Sequence, residues 1–272
     1  MNPTRSRAAR VFHPRPHSAA RLVCFPHAGG AASAFAALSA ALPEDIELVA
    51  FQYPGRQDRH ADPFAEDIAA LAEEAVRALA EYGDQPLFLL GHSMGALTAF
   101  ETARRLGRPG KVARLFASAA RPPSQDWGER DLDTCEDREI VAELRRLGGV
   151  PETLLQDPET VRELLRLLRA DHRALRRYRC PPGAALDAPI TVLLATADPK
   201  NTPGQMAGWA RHTTGGLDVE GLPGGHFSLT SHQPGPARRL ARRIREDRAL
   251  AAGSRPAADA ARRPNSTPMG EK

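Results

Sequence analysis

A serine in the setting of a nucleophile stands within Gly91-His92-Ser93-Met94-Gly95, a G-x-S-x-G pattern. The apolar run PLFLL precedes it and the helical pattern GALTAFETARRL includes its last glycine, so the serine falls in a turn between a strand and a helix. Such a turn is strained, and glycines on either side let the strand and the helix approach each other. The pattern predicts Ser93 as a nucleophile flanked by the turn glycines Gly91 and Gly95. An idle serine in a structural turn is the alternative.

A nucleophilic serine of this kind needs an acid and a histidine, and in this context the chain order is serine, acid, histidine. Each partner should follow the carboxyl end of a strand of the sheet. Asp198 directly follows the apolar run PITVLLATA, whereas Asp187 precedes that run and Asp218 begins the next strand. Asp198 is therefore the predicted acid of a catalytic triad.

The predicted base is His226, in the glycine-rich loop Pro223-Gly224-Gly225-His226-Phe227. This loop lies between the last predicted strand and the final predicted helix, so it opens at the same edge of the sheet as Ser93. His212 and His232 are the alternatives, and both are interpreted as surface histidines.

Attack on a carbonyl also requires N–H donors for the oxyanion. The helix that begins behind Ser93 supplies Met94 N–H, and the loop FPHAGG after the first predicted strand supplies Ala28 N–H. We expect these two backbone groups to form the oxyanion hole. An ordinary turn is the alternative for the glycine pair in that loop.

Elements that could position these groups alternate along the chain as short apolar runs and longer amphipathic segments. This alternation is typical of an α/β fold with a mostly parallel sheet flanked by helices. The predicted strands are Arg21–Phe25, Ile46–Tyr53, Pro86–Leu90, Ala113–Ala117, Pro189–Ala195 and, more weakly, Leu217–Leu222. The predicted helices are Ala31–Ala41, Ala65–Glu81, Gly95–Leu106, Gly204–His212 and Pro236–Ala251.

The alternation is interrupted between Arg121 and Pro182, where helical patterns occur over Arg138–Leu147 and Pro158–Arg177 without a strand. We expect this insertion, about residues 121–182, to be a helical lid that gates the site and excludes water. A helical decoration without a gating role is the alternative. The domain is predicted over residues 19–252, with disordered polar tails at 1–18 and 253–272.

Composition restricts the class of partner. The formal net charge is +4, but residues 1–21 carry five arginines and no acid and residues 236–272 carry a net +6, so residues 22–235 carry −7. An acidic body argues against nucleic acid as a ligand. The three cysteines have no metal-ligand spacing, and no apolar stretch is long enough to span a bilayer. We expect a soluble, cytoplasmic, monomeric protein without a metal or cofactor and without membrane contact.

Five motifs in order, FPHAGG, QYPGRQDR, GHSMG, TADP and GGHFSL, resemble the type II thioesterases of polyketide and non-ribosomal peptide synthases. The resemblance runs from about Arg21 to Ala251, and Leu168-Arg169-Ala170-Asp171 with Tyr178 resembles a stretch of the family's lid. It implies an α/β-hydrolase fold and hydrolysis of stalled or aberrant acyl groups held as thioesters on the phosphopantetheine arm of a carrier protein. The acyl group would pass through Ser93, with His226 as base and Asp198 orienting it.

Two residues depart from the family's pattern. Gln57 stands where the family usually has glycine, and His172 stands where it often has an aromatic residue. These departures concern the preference for the acyl group and leave the triad intact. Two other functions remain open from the sequence: a carboxylesterase or lipase acting on small oxygen esters, and a non-catalytic relative that binds a carrier protein or an acyl ligand and regulates a synthase.

Overall fold

The computed structural model describes residues 6–83, 85–230 and 234–253. A seven-stranded sheet forms the centre, in the order β1-β3-β2-β4-β5-β6-β7. Its strands are β1 (Ala9–Arg10), β2 (Ala20–Phe25), β3 (Ile46–Phe51), β4 (Leu87–His92), β5 (Val112–Ser118), β6 (Ile190–Ala195) and β7 (Leu217–Leu222). β1 pairs antiparallel with β3, and the other neighbours pair in parallel. The predicted α/β-hydrolase fold is confirmed, and the six predicted strands are present with ends shifted by at most two residues.

Helices cover both faces of the sheet. They are α1 (Ala36–Ala41), α2 (Ile68–Leu79), α3 (Met94–Leu106), α4 (Asp137–Leu147), α5 (Glu152–Leu155), α6 (Pro158–Arg177), α7 (Pro203–Met206) and α8 (Gly235–Gly253). Two predicted helices are partly 3₁₀: residues 32–35 precede α1, and residues 207–212 follow α7. α2 starts three residues later than predicted because the Asp67 side chain accepts from Ala70 N–H and caps the helix there. None of the described helices is long and apolar enough to cross a membrane.

Successive side chains of each strand enter two different cores, as the period of two in a strand requires. On one face, Val23 and Leu89 pack with α2 and α3. On the other face, Leu22 and Leu90 pack with α1 and α8. The parallel strands are apolar on both sides because both of their faces are covered.

Residues 6–18 correct the prediction of a disordered tail over 1–18, while residues 1–5 of that tail lie outside the described residues. Ala9 and Arg10 pair with β3, and the Arg15 side chain is buried while donating to three carbonyl oxygens, of Ile46 (2.8 Å), Ser39 (3.1 Å) and Leu42 (2.8 Å). Backbone pairing at a sheet edge needs no apolar side chains, so composition alone did not reveal it. The prediction for 253–272 falls outside the described residues, except for Gly253, the last residue of α8.

A helical insertion separates β5 from β6 and contains α4, α5 and α6. The 20-residue α6 begins at Pro158 behind Asp157, whose carboxylate accepts from Thr160 N–H at 2.8 Å. The insertion has its own apolar cluster, made of Leu132, Ile140, Leu144, Leu155, Leu165 and Leu168. This separate core explains how the segment folds against the edge of the sheet without contributing a strand.

Candidate active site

The turn from β4 to α3 holds Ser93 in a strained conformation, with φ 54° and ψ −122°. A non-glycine residue rarely adopts a positive φ, and the strain is stored at this turn. The two glycines predicted beside it are required by close backbone contacts: a Cβ on Gly91 would lie 2.2 Å from Gly95 O, and one on Gly95 would lie 2.1 Å from Phe25 O. Ser93 N–H donates to Ser118 O at 2.8 Å, which ties the turn to β5.

Asp198 and His226 meet beyond the ends of β6 and β7. The distance from His226 Nδ1 to Asp198 Oδ2 is 2.8 Å, and both residues are buried. Two further donors hold the carboxylate, Lys200 N–H on Oδ1 at 2.8 Å and Asn201 Nδ2 on Oδ2 at 2.6 Å. Burial raises the pKa of Asp198, but these hydrogen bonds and the neighbouring His226 leave it below its ordinary value. An ionised carboxylate accepts from Nδ1–H, so His226 Nε2 is left as a proton acceptor.

Ser93 and His226 line one cavity of about 340 Å³. Within the residues that the structure describes, no hydrogen bond joins the Ser93 hydroxyl to the His226 ring. Catalytic hydrogen bonds of this type are often long before substrate binds. The cavity therefore brings together the two groups that a proton transfer would join, with Asp198 behind the histidine.

The two backbone groups predicted as oxyanion donors are both available. Met94 is the first residue of α3, so its N–H has no intrahelical acceptor, and Ala28 lines the cavity beside Ser93. Neither N–H donates to any acceptor within the described parts of the chain. Free donors at a helix start and in the facing loop are what a developing oxyanion needs.

Two aromatic rings that the sequence did not single out pack against His226, and a third packs against one of them. His92 lies 5.4 Å from it between ring centroids and Phe227 lies 5.1 Å from it, while His27 stacks edge-on against Phe227 at 4.9 Å. Burial, with the nearby His226 and Arg56, lowers the pKa of His27 to about 3. Burial also lowers the pKa of His92 well below its ordinary value. Both rings are neutral at pH 7, so they add no positive charge beside His226.

The rival residues lie elsewhere. His212 is buried, which corrects its interpretation as a surface histidine: Nδ1 lies 2.8 Å from Ala184 O and Nε2 lies 2.8 Å from Ser124 Oγ. Both ring nitrogens are thereby engaged away from Ser93. Asp218, at the start of β7, pairs with Arg114 at 2.9 Å. His232 lies outside the described residues.

The insertion supplies much of the cavity wall. The aliphatic lining residues from it are Leu132, Ile140, Leu144, Leu147, Leu168 and Leu175, and Trp127 lines the cavity as well. A more polar part contains His172, whose Nδ1 lies 3.1 Å from Glu129 Oε2. The cavity that Ser93 and His226 line thus has both an apolar and a polar wall.

Comparison with known proteins gives a consistent picture. The family described as "Thioesterase domain" matches residues 20–247. The probable cadicidin biosynthesis thioesterase of Streptomyces griseus is 42% identical over 92% of this chain and 69% of its own length. The thioesterase PikA5 of Streptomyces venezuelae is 44% identical over 81% of this chain and 79% of its own length.

Among solved structures, the type II thioesterase BorB from the borrelidin biosynthetic cluster superposes with a TM-score of 0.79 at 38% identity. The match covers 90% of this chain and 99% of that protein. Residues 20–247, which the family model matches, include the β4–α3 turn, the helical insertion and the strand ends that carry Asp198 and His226. The chain belongs to the thioesterase domain family, within the type II thioesterases of polyketide and non-ribosomal peptide pathways.

Proposed function

We propose that this thioesterase edits a polyketide or non-ribosomal peptide synthase by hydrolysing stalled or aberrant acyl groups from the phosphopantetheine arm of a carrier protein. The observation that carries the proposal is that Ser93, His226 and Ala28 line one cavity, with Asp198 bonded behind His226 and the Met94 N–H directly after Ser93 in the chain. Membership of the family, and the biosynthetic thioesterases among the relatives, support the choice of a thioester as substrate.

The first half of the reaction is acylation. His226 Nε2 takes the proton of Ser93 as Oγ attacks the thioester carbonyl, and Asp198 orients the imidazole and stabilises its charged form. Ala28 N–H and Met94 N–H donate to the oxyanion of the tetrahedral intermediate. Collapse of this intermediate breaks the C–S bond, the departing thiolate takes the proton from His226 Nε2, and the acyl group stays on Ser93. A thiol with an ordinary pKa of about 8.5 leaves readily, so little acid assistance is needed.

The second half is hydrolysis. His226 Nε2 removes a proton from water, the hydroxide attacks the acyl-serine carbonyl, and the returning proton restores Ser93. The free acid then leaves, and the carrier protein retains its unloaded thiol. Hydrolysis is the expected outcome rather than cyclisation, which would release a full-length product.

The size and lining of the cavity support short acyl groups. Its volume of about 340 Å³ is near the lower end of the roughly 300–1,000 Å³ found for ligand pockets. The leucine-rich wall suits the alkyl part of such a chain. The His172–Glu129 pair gives the same cavity hydrogen-bonding groups for a polar substituent.

The experiment is an assay of the purified protein with a carrier protein loaded with short acyl groups and with matched oxygen esters of the same acids. We expect faster hydrolysis of the carrier-bound thioesters, and we expect Ser93→Ala to abolish turnover. Equal or better activity on the oxygen esters would identify an esterase instead. Binding of the acyl carrier protein without turnover by the wild type would identify a non-catalytic regulator.

A further inference from the structure

The loop that carries the Ala28 N–H is held in place by side chains from outside it. It runs over residues 26–31, between β2 and the 3₁₀ turn that begins at Ala32. Four hydrogen bonds fix the backbone of the loop and of Ala32: Tyr53 Oη to Pro26 O (3.1 Å), Gly29 N to Asp171 Oδ2 (2.7 Å), Arg56 Nη1 to Gly30 O (2.9 Å) and Ala32 N to Gln52 Oε1 (2.7 Å). Three of these side chains belong to the motif QYPGR, for which the reaction itself has no use.

Arg56 and Asp171 form the central pair of this arrangement. Arg56 Nη1 lies 2.9 Å from Asp171 Oδ2 and Nη2 lies 2.7 Å from Oδ1, which is a bidentate contact. Arg56 is 2% exposed and Asp171 is 5% exposed. Asp171 Oδ2 accepts from Gly29 N–H as well, and the guanidinium donates to Gly30 O as well. The pair therefore holds the backbone of Gly29 and Gly30, the two residues that follow Ala28, by hydrogen bonds.

The two partners come from different parts of the fold. Arg56 follows β3, whereas Asp171 lies on α6 of the helical insertion, 115 positions later. α6 also packs on the loop directly, because a Cβ on Gly29 would lie 2.9 Å from Leu168 Cδ2. Gly29 has φ +75°, so the loop conformation itself favours glycine at this point. The position of the loop is thus set jointly by the sheet and by the insertion.

A buried ion pair of this kind is a weak source of stability, because desolvation of two charges offsets much of their attraction. Its value lies in geometry: a planar guanidinium and a carboxylate leave little freedom to the groups that they hold. An oxyanion donor misplaced by even a fraction of an ångström loses much of its effect. The need to place the oxyanion donor accurately explains why so many hydrogen bonds hold one short loop.

We propose that the Arg56–Asp171 pair is a positioning device that locks Ala28 N–H into the oxyanion hole, so that the hole is complete only when α6 of the insertion is docked on the loop. The proposal rests on the proposed function, which assigns Ala28 as an oxyanion donor. Asp171 then ties the insertion to the rate of the chemical step, in addition to any effect of the insertion on access.

The test compares Asp171→Asn with a matched control, Asp247→Asn. Asp247, which is partly buried, makes a bidentate pair of the same geometry with the buried Arg114, at 2.6 and 2.9 Å, between β5 and α8 and away from the cavity. We expect Asp171→Asn to lower kcat roughly 10- to 100-fold, somewhat less than complete loss of an oxyanion donor, while KM changes less than about twofold. Asp247→Asn should leave the kcat of the folded protein unchanged.

A second measurement separates positioning from general damage. An alkylboronic acid adds to Ser93 as a tetrahedral adduct whose oxygen occupies the oxyanion hole, so its affinity should fall by the same factor as kcat in Asp171→Asn. Affinity for acyl carrier protein in a Ser93→Ala background should not change when Asp171→Asn is added. Arg56→Lys keeps the charge but not the bidentate geometry, and should lower kcat and boronate affinity in the same way.

The proposal is overturned if kcat and boronate affinity survive in Asp171→Asn or in Arg56→Lys. It is also overturned if only KM rises, or if Asp247→Asn loses kcat to the same extent. The boronate measurement needs only a reactive Ser93. Absence of thioester hydrolysis by the wild type would therefore count against the proposed function, whereas intact boronate affinity in the variants would count against the positioning role alone.

Discussion

Two histidines of similar burial do different work in this molecule. His226 Nδ1 bonds to Asp198, which leaves Nε2, at the cavity, without a hydrogen-bond partner among the residues that the structure describes. Both ring nitrogens of His212 are hydrogen-bonded, to Ala184 O and to Ser124 Oγ. The difference lies in their partners and not in their exposure, since both are buried. A histidine with one free nitrogen facing a serine can move protons, whereas one with both nitrogens engaged can only hold structure.

This contrast predicts opposite results for two alanine substitutions. His226→Ala should lower kcat by several orders of magnitude because the triad acts as a unit. His212→Ala should leave the kcat of the folded protein near the wild-type value, but lower the free energy of unfolding by about 2 kcal/mol because it leaves buried groups unpaired. Steady-state kinetics and urea denaturation measure both. Loss of kcat in His212→Ala at full folding would contradict the assignment of the base.

Among the elements, the helical insertion has two kinds of leucine. Leu144 belongs to its apolar cluster and also lines the cavity, whereas Leu155 belongs to the same cluster without lining the cavity. Both are buried to a similar degree. The cluster holds the insertion together, and only the part of it that faces Ser93 can meet a substrate.

Leu144→Ala should therefore shift the acyl preference toward longer chains. Removing the side chain opens space at the cavity wall, so kcat/KM for an acyl group two or three carbons longer should rise relative to the short substrate by roughly tenfold. Leu155→Ala is the control, since it should cost comparable stability and leave the chain-length profile unchanged. A competition assay with a series of acyl carrier proteins measures the profile. The same shift in both variants would place the effect in the folding of the insertion and not in the cavity wall.

At the scale of the whole molecule, His27, His92 and His212 have lowered pKa values and are neutral in the folded protein at pH 7. Burial lowers the pKa values of His92 and His212, and burial together with nearby charge lowers that of His27 to about 3. An unfolded histidine titrates near 6.5, so below about pH 6.5 the unfolded chain binds protons that the folded chain does not. The free energy of unfolding must then fall as the pH falls through this window.

We expect a loss of stability that begins below about pH 7 and continues down to the lowered pKa of each folded histidine, about 3 for His27, with a slope of up to about 1.4 kcal/mol per pH unit for each neutral buried histidine. Asp198, whose pKa lies below its ordinary value, adds a loss below about pH 4, as its carboxylate is protonated. Urea denaturation at several pH values measures the slope. His212→Gln should reduce it by the share of one histidine, and an unchanged slope in that variant would contradict the account.

Local features were readable from the sequence because they depend on neighbours in the chain. The turn around Ser93 follows from glycines between an apolar run and a helical pattern, and the positions of Asp198 and His226 follow from which end of a strand each loop leaves. The parallel sheet, its six main strands and the interrupting insertion follow from alternation of apolar runs and amphipathic segments. Parallel pairing then brings the loops to one edge.

Contacts between distant segments were decided only by the tertiary structure. The Arg56–Asp171 pair joins residues 115 positions apart, and neither the burial of His212 nor the support of Asp198 by Asn201 leaves a periodic signal. The ordering of residues 6–18 depends on β3 offering a free edge and on carbonyl oxygens that accept from Arg15. Such contacts depend on which surfaces of the folded sheet meet, and a local sequence pattern does not indicate which surfaces these are.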